Sequence, residues 1–197
     1  METAVKKPDH IVFLRGKRLY LRPVLLEDLP LFLKWVNDPD LRLLYMARAS
    51  PIDEAEANEW LAHLHKRTDT ISFVICTDEG RAIGLIGLHG IDWKSRVSST
   101  ENVIGEKEFW GKGYATEAKI VLLHYAFDTL NIHKIWGGIY SFNKASQAYN
   151  KKCGYKIEGV QRHQLFANGK YHDKILVAVF REDWLPVWKR FLKEGKV

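Results

Sequence analysis

Two glycines one residue apart, Gly111 and Gly113, stand where a strand-like pattern gives way to a helical one. The backbone N–H groups of such a turn line a concavity at the positive end of the following helix, a geometry that suits a phosphate. The same pair also reads as a tight turn that needs glycine's backbone freedom, and two glycines alone do not separate these readings. Further along, Asn143, Ser146 and Asn150 fall at i, i+3 and i+7 and so share one helix face, while Ala145, Tyr149 and Cys153 share another. Asn143 has the residue type and position of a helix N-cap. Upstream, Glu101 and Asn102 lie in the middle of a strand-like stretch where both are poor strand formers, and such a local conflict marks a candidate functional position.

Spacing excludes two nucleotide motifs. Between Gly105 and Gly111-Lys112 the four-residue spacer of a P-loop is missing, and Gly113 stands where its magnesium-binding Ser or Thr would be. A dinucleotide fingerprint would need its third glycine at Thr116 and an acidic partner at the end of a following strand, and has neither. No two of the 8 histidines form an HxxxH pair with a nearby carboxylate, so no metal is expected.

The elements that must position these residues are legible from periodicity. Lys17 to Val24 alternates as a half-buried strand, with Leu19 and Leu21 on the core face and Arg18, Tyr20 and Arg22 on the other. Residues 27–37 predict a helix stopped by Asn37-Asp38-Pro39, and residues 53–66 a second helix with an acidic first turn. Three strands follow, over 71–75, 82–91 and 98–105, the first two joined at Asp78-Glu79-Gly80. A strong helix runs from the glycine turn to about Thr129, its apolar stripe carrying Ala115, Ala118, Val121, Leu122, Tyr125 and Ala126. Then come a strand over 134–140, a helix over 143–153, a hairpin of 155–165 and 171–180 turning at Asn168-Gly169, and a terminal helix over 181–193. The order implies an α/β chain, mixed α+β, around one central sheet.

With 197 residues, 46% hydrophobic and 27% charged, a single domain over 1–197 with a sizeable core is expected. Residues 1–13 read as an N-terminal extension and 181–197 as a C-terminal helix and tail. The longest nearly apolar run, Ile120 to Phe127, is far short of the roughly 20 residues of a membrane span, so no membrane partner is expected. The first ten residues lack the apolar segment of a secretory signal, and the expected location is the cytoplasm. Cys76 and Cys153 read as reduced core residues. The net charge of +6 favours an acidic partner. Direct nucleic-acid binding is not expected, because Trp35, Trp60 and Trp93 are not interleaved with a Lys/Arg run.

The stretch Gly105-Glu106-Lys107-Glu108-Phe109-Trp110-Gly111-Lys112-Gly113-Tyr114-Ala115-Thr116-Glu117-Ala118 resembles the acetyl-CoA loop of the GNAT acyltransferases. The RimJ/RimL branch of N-terminal acetyltransferases is the most similar, with spermidine N-acetyltransferase as a near relative. Arg18 to Pro23, Trp35 to Pro39, Asn143 to Ser146, Lys152 to Tyr155 and Gly169 to Asp173 carry the likeness along most of the chain, from about Leu14 to Trp184. It implies a mostly antiparallel GNAT sheet flanked by helices, and acetyl-CoA as co-substrate. The pyrophosphate would sit on the amides of Gly111, Lys112, Gly113, Tyr114, Ala115 and Thr116, next to Trp110. The pantetheine arm would pair with Val103, Ile104 and Gly105, and Asn143 and Ser146 would touch the cofactor. One departure is Glu108, where the wider superfamily often has Arg or Gln.

Many members carry a tyrosine seven residues after this asparagine that protonates the departing CoA thiolate. Here that position is Asn150, and Tyr149 lies one residue earlier, about 100° around the helix. A glutamate common in the branch falls at Ser99, which makes Glu101, two residues on and on the same strand face, the substitute candidate for the base. Trp35, Tyr171 and Asp173 are the candidate acceptor contacts. The expected activity is direct transfer of acetyl, in a ternary complex, to a primary amine, first a protein or peptide N-terminus. The alternatives are a small amine, such as a polyamine or an amine antibiotic, and a non-catalytic CoA-binding or ribosome-interacting protein. A homodimer is compatible with this reading.

Overall fold

A computed structural model describes residues 11–45 and 50–195. Its elements are β1 (Leu14–Arg15), β2 (Leu19–Pro23), α1 (Leu29–Asn37), α2 (Pro39–Tyr45), α3 (Glu54–Leu64), β3 (Ile71–Thr77), β4 (Ala82–Asp92) and β5 (Val97–Ile104). After the glycine turn come α4 (Tyr114–His124), β6 (Lys134–Tyr140), α5 (Lys144–Lys152), β7 (Lys156–Ala167), β8 (Lys170–Phe180) and α6 (Arg181–Glu194). The strands form one sheet in the order β1-β2-β3-β4-β5-β6-β8-β7. Every neighbouring pair is antiparallel except β5 and β6, which run parallel because α4 carries the chain across between them.

Period-two alternation splits the core between two layers. Leu19, Leu21, Phe73, Ile75, Ile83 and Ile86 pack with α4 and α6. Tyr20, Val74 and Cys76 point the other way and pack with Leu29 and Val36 of α1 and Ala57 and Leu61 of α3. Here the expectation of a half-buried β2 fails: Tyr20 and Arg22 are buried, because α1–α3 cover the face read as solvent. Arg22 is held there by a bidentate pair with Asp28, 2.7 Å on each branch. The β7–β8 turn behaves as its sequence says, with both Asn168 (φ 49°) and Gly169 (φ 76°) left-handed, as a tight two-residue hairpin requires.

Two further elements depart from the sequence reading. Asn37-Asp38-Pro39 ends α1 but also starts α2: the Asp38 carboxylate accepts from the amides of Asp40 and Leu41 at 2.9 and 3.2 Å, and Pro39 takes the first helical position. The helix after the glycine turn is buried on all sides from Thr116 to Leu123, including Glu117 and Lys119, and changes to a π turn over Tyr125–Thr129. Glu117 can be buried because its carboxylate accepts from the amides of Lys17 and Arg18 and from the Arg18 guanidinium, at 2.6, 2.8 and 2.9 Å. Its charge ties α4 to the β1–β2 turn.

Candidate active site

β5 and β6 pair only at Val97–Lys134, Ser98–Ile135 and Ser99–Trp136, and beyond Ser99 they part. The gap is a cleft of about 660 Å³, walled by Thr100 to Ile104 on one side and Trp136 to Tyr140 on the other. Its far end is closed by the glycine turn and its side by α5.

Gly111 (φ 73°) and Gly113 (φ 86°) take left-handed backbone that only glycine adopts without strain. Gly113 is the N-cap of α4 and has no side chain with which to cap it. The first N–H donors of α4, on Tyr114, Ala115 and Thr116, are therefore left for a ligand, and these three residues line the cleft. Arg18 braces the turn from outside: its guanidinium donates to the Lys112 carbonyl at 3.1 Å and lies 4.7 Å from the Tyr114 ring centre. Trp110 also lines the cleft, its indole N–H donating to the Ile104 carbonyl at 2.7 Å. Lys112 does not line the cleft; its ammonium lies over the Phe109 ring.

On α5 the predicted face is present. Asn143 Oδ1 accepts from the Ser146 amide at 3.0 Å, so it is the N-cap, while its Nδ2 donates to the Leu44 carbonyl at 3.3 Å. Asn143, Ser146, Tyr149 and Asn150 all line the cleft. Asn150 gives its amide hydrogens to the Ser146 carbonyl and hydroxyl, at 2.9 and 3.3 Å. Burial pushes the Tyr149 phenol well above its usual range.

A second, smaller cavity of about 180 Å³ opens on the α1–α3 side of the sheet. Phe32 and Trp60, stacked with ring centres 4.3 Å apart, line it together with Trp35, Arg42, Glu56 and His89. Glu101 and Val103 line both cavities and so stand at their junction. Glu101 Oε2 is 3.3 Å from His89 Nε2 across the β4–β5 pair. Burial lowers the His89 pKa, against an opposing pull from Glu101, so the ring is neutral at pH 7.

Of the residues expected at the site, Glu101, Trp35, Asn143, Ser146, Tyr149, Asn150 and most of the turn line one or other of the two cavities. Besides Lys112, three expected residues stand elsewhere. Gly105 faces Trp35 rather than the cleft, and a Cβ there would fall inside the indole, which Glu106 fixes by accepting its N–H at 2.8 Å. Tyr171 lines neither cavity; it is 63% exposed and packs on Phe166 across the hairpin. Asp173 lines neither because its carboxylate accepts from the His163 amide at 2.9 Å. Three residues were missed. His89 was passed over as one histidine among several, although period two puts it on the same face of β4 as Leu85 and Gly87. Lys119 carries no signal in the sequence, being one lysine off the apolar stripe of its helix. Asn102 had been marked as a conflict but given no role: its amide donates to the Ala115 carbonyl at 2.8 Å, and its Oδ1 is buried with no partner.

That orphaned acceptor in the wall of the cleft, with the uncapped donors at its end, fits a ligand carrying both amide N–H groups and phosphate. The family described as "Acetyltransferase (GNAT) domain" matches residues 18–156. This chain belongs to that family, and it is an acetyl-CoA-dependent N-acetyltransferase acting on an amine. Among known relatives, the spermidine N(1)-acetyltransferase of Escherichia coli K12 is 29% identical over 127 residues, covering 64% of this chain and 67% of its own. The putative ribosomal N-acetyltransferase YdaF of Bacillus subtilis is 32% identical over 106 residues, 54% of this chain and 57% of its own. The Vibrio cholerae spermidine N-acetyltransferase, solved in complex with CoA and spermine, superposes with a TM-score of 0.79 at 25% identity, covering 86% of this chain and 99% of that one.

Proposed function

We propose that the acceptor is a small-molecule primary amine of polyamine type, attacked directly by its nitrogen on the thioester of acetyl-CoA in a ternary complex. The observation that carries this reading is the 180 Å³ cavity, in which aromatic faces and the carboxylate residues Glu56 and Glu101 meet beside the cleft. Aromatic rings and carboxylates hold an alkylammonium, and so small a volume suits one amine and a short alkyl arm. The relatives named for spermidine point the same way. Local acidity also answers the net charge of +6, which by itself would repel a polycation.

The division of labour follows from the two cavities. The cleft takes acetyl-CoA, with its pyrophosphate on the donors of Tyr114 to Thr116, its arm along Val103 and Ile104, and the Asn102 acceptor for an arm amide. Freeing an alkylamine of pKa near 10.4 from its proton at pH 7 costs about 4.6 kcal/mol, so this acceptor needs a base. Glu101, reaching both cavities, takes the proton together with the neutral His89 beside it.

Arg42, which also lines the small cavity, favours a second reading, a peptide N-terminus whose carbonyl groups would accept from the guanidinium. CoA release measured against polyamines, monoamines, aminoglycosides and peptides with free N-termini separates the two. Turnover confined to the peptides overturns the polyamine reading.

A further inference from the structure

Lys119 has no part in the mechanism above, yet it lines the floor of the cleft while only 1% exposed. Its ammonium donates to Thr100 Oγ1 and lies 5.8 and 5.5 Å from the ring centres of Tyr149 and Tyr155. Among the described residues no carboxylate lies within ion-pair distance of it, and Glu101 attracts it only from further off. Arg22 shows the contrast, a buried cation with a bidentate carboxylate partner. A buried charge with no counter-ion is costly and persists where something else supplies the anion.

The position of Lys119 identifies that anion. Resting on the acetyl-CoA reading, the pyrophosphate lies at the start of α4 and the arm runs along β5. From Ile104 back to Thr100 is roughly 13 Å of strand, which brings the sulfur to the point where β5 and β6 part. Thr100 is there, and its hydroxyl faces Lys119. Because an ammonium only donates, Thr100 oxygen is the acceptor, and the Tyr155 hydroxyl 3.2 Å away can fill its other lone pair. The Thr100 proton is then free to point into the cleft.

We propose that Lys119, acting through Thr100, is the acid side of the reaction and balances and protonates the departing CoA thiolate. As the amine nitrogen bonds to the carbonyl carbon, the C–S bond breaks and its electron pair stays on sulfur. Thr100 passes its proton to sulfur and takes one from Lys119, while the amine proton goes to the Glu101–His89 pair; solvent restores both sides. Neither the residue at the family's acid position nor its neighbour serves: Asn150 has spent its hydrogens on Ser146, and burial makes the Tyr149 phenol a reluctant acid. Burial brings Lys119 down to about 8, near the value of an alkyl thiol. The groups facing it are Thr100 and Glu101 on β5, His89 on β4, Tyr149 and Cys153 on α5 and its C-cap, and Tyr155 before β7. The Cys153 thiol is pushed up to about 12, so it supplies no counter-charge.

The test titrates the thiol of bound, unacetylated CoA by its ultraviolet thiolate absorbance, in the wild type, Lys119→Met and Thr100→Val. Wild-type protein should ionise bound CoA at least tenfold more readily than free CoA; Lys119→Met should abolish that shift and Thr100→Val reduce it. In steady state Lys119→Met should lower kcat about 100-fold with KM for acetyl-CoA within about twofold, while melting no lower than the wild type. An unshifted thiol in the wild type, or the same shift and the same kcat in Lys119→Met, overturns the proposal and leaves the acetyl-CoA reading standing. Failure of the wild type to bind CoA at all overturns both. If Lys119→Met does not fold, Thr100→Val decides alone: a reduced thiol shift supports the proposal and an unchanged one overturns it.

Discussion

The two halves of the site are made of different materials. The half proposed for the cofactor is built from backbone: two left-handed glycines, the first donors of a helix, and a strand edge freed where β5 leaves β6. The half proposed for the acceptor is built from side chains that α1, α2, α3, β4 and β5 bring together, Phe32, Trp60, Arg42, Glu56, His89 and Glu101 among them. Backbone recognition tolerates almost any side chain so long as the path of the chain is kept. Side-chain recognition changes with each substitution, and this is where relatives of one fold can part in substrate.

The sharpest way to break this contrast is at the junction. Glu101→Gln should lower kcat about 100-fold, with CoA affinity within about twofold, because the proposed CoA contacts come from backbone and Asn102 and not from this carboxylate; a CoA affinity that collapsed with kcat would show that the halves are not separate. The pH profile sharpens the same point. Activity should fall as pH drops through the His89 pKa, which lies below 6.5, and His89→Ala should remove that limb.

The next effect is on stability. Lys119 titrates at about 8 when folded, against 10.5 ordinarily, so between these values the unfolded chain binds more protons and stability rises with pH. Below pH 8 the full cost is present, about 3 kcal/mol. Urea titrations at pH 7 and 10 should show the wild type gaining on Lys119→Met at the higher pH, and no difference between the two pH values would contradict the buried charge.

In the cofactor half, Gly113→Ala places a Cβ on left-handed backbone and should weaken CoA binding by roughly 5- to 100-fold with little change in acceptor KM, measured by calorimetry and initial rates. The smallest effect belongs to Tyr171→Ala, for which kcat/KM on the amine should stay within about twofold of the wild type; a larger loss would bring the hairpin back into the site.

The same contrast explains what the sequence revealed. Gly111, Gly113 and Asn143 are local signals, since a left-handed turn and a helix cap are decided by neighbours in the chain. The period-two strands and the Asn168-Gly169 turn were legible for the same reason. Trp60 and His89 meet only because the sheet and α3 are stacked, and no spacing in the chain records that. Lys119 and Glu117 lie off the apolar stripe that the helical pattern marks, and nothing in that pattern records that α4 is enclosed by the sheet, α5 and α6. The Asp38 cap was read as a stop alone because one Asx-Pro signal ended one helix and began the next.

The brevity of the β5–β6 pairing has a mechanical consequence. Eight strands form one sheet, but its two leaves, β1–β5 and β6–β8–β7, are stitched by three residue pairs. Such a seam has few pairs to hold it, and opening it by a small angle would widen the cleft proposed for CoA. Amide exchange along 97–99 and 134–136 would then be faster than in the β2–β3–β4 block and would slow when CoA bridges the two leaves.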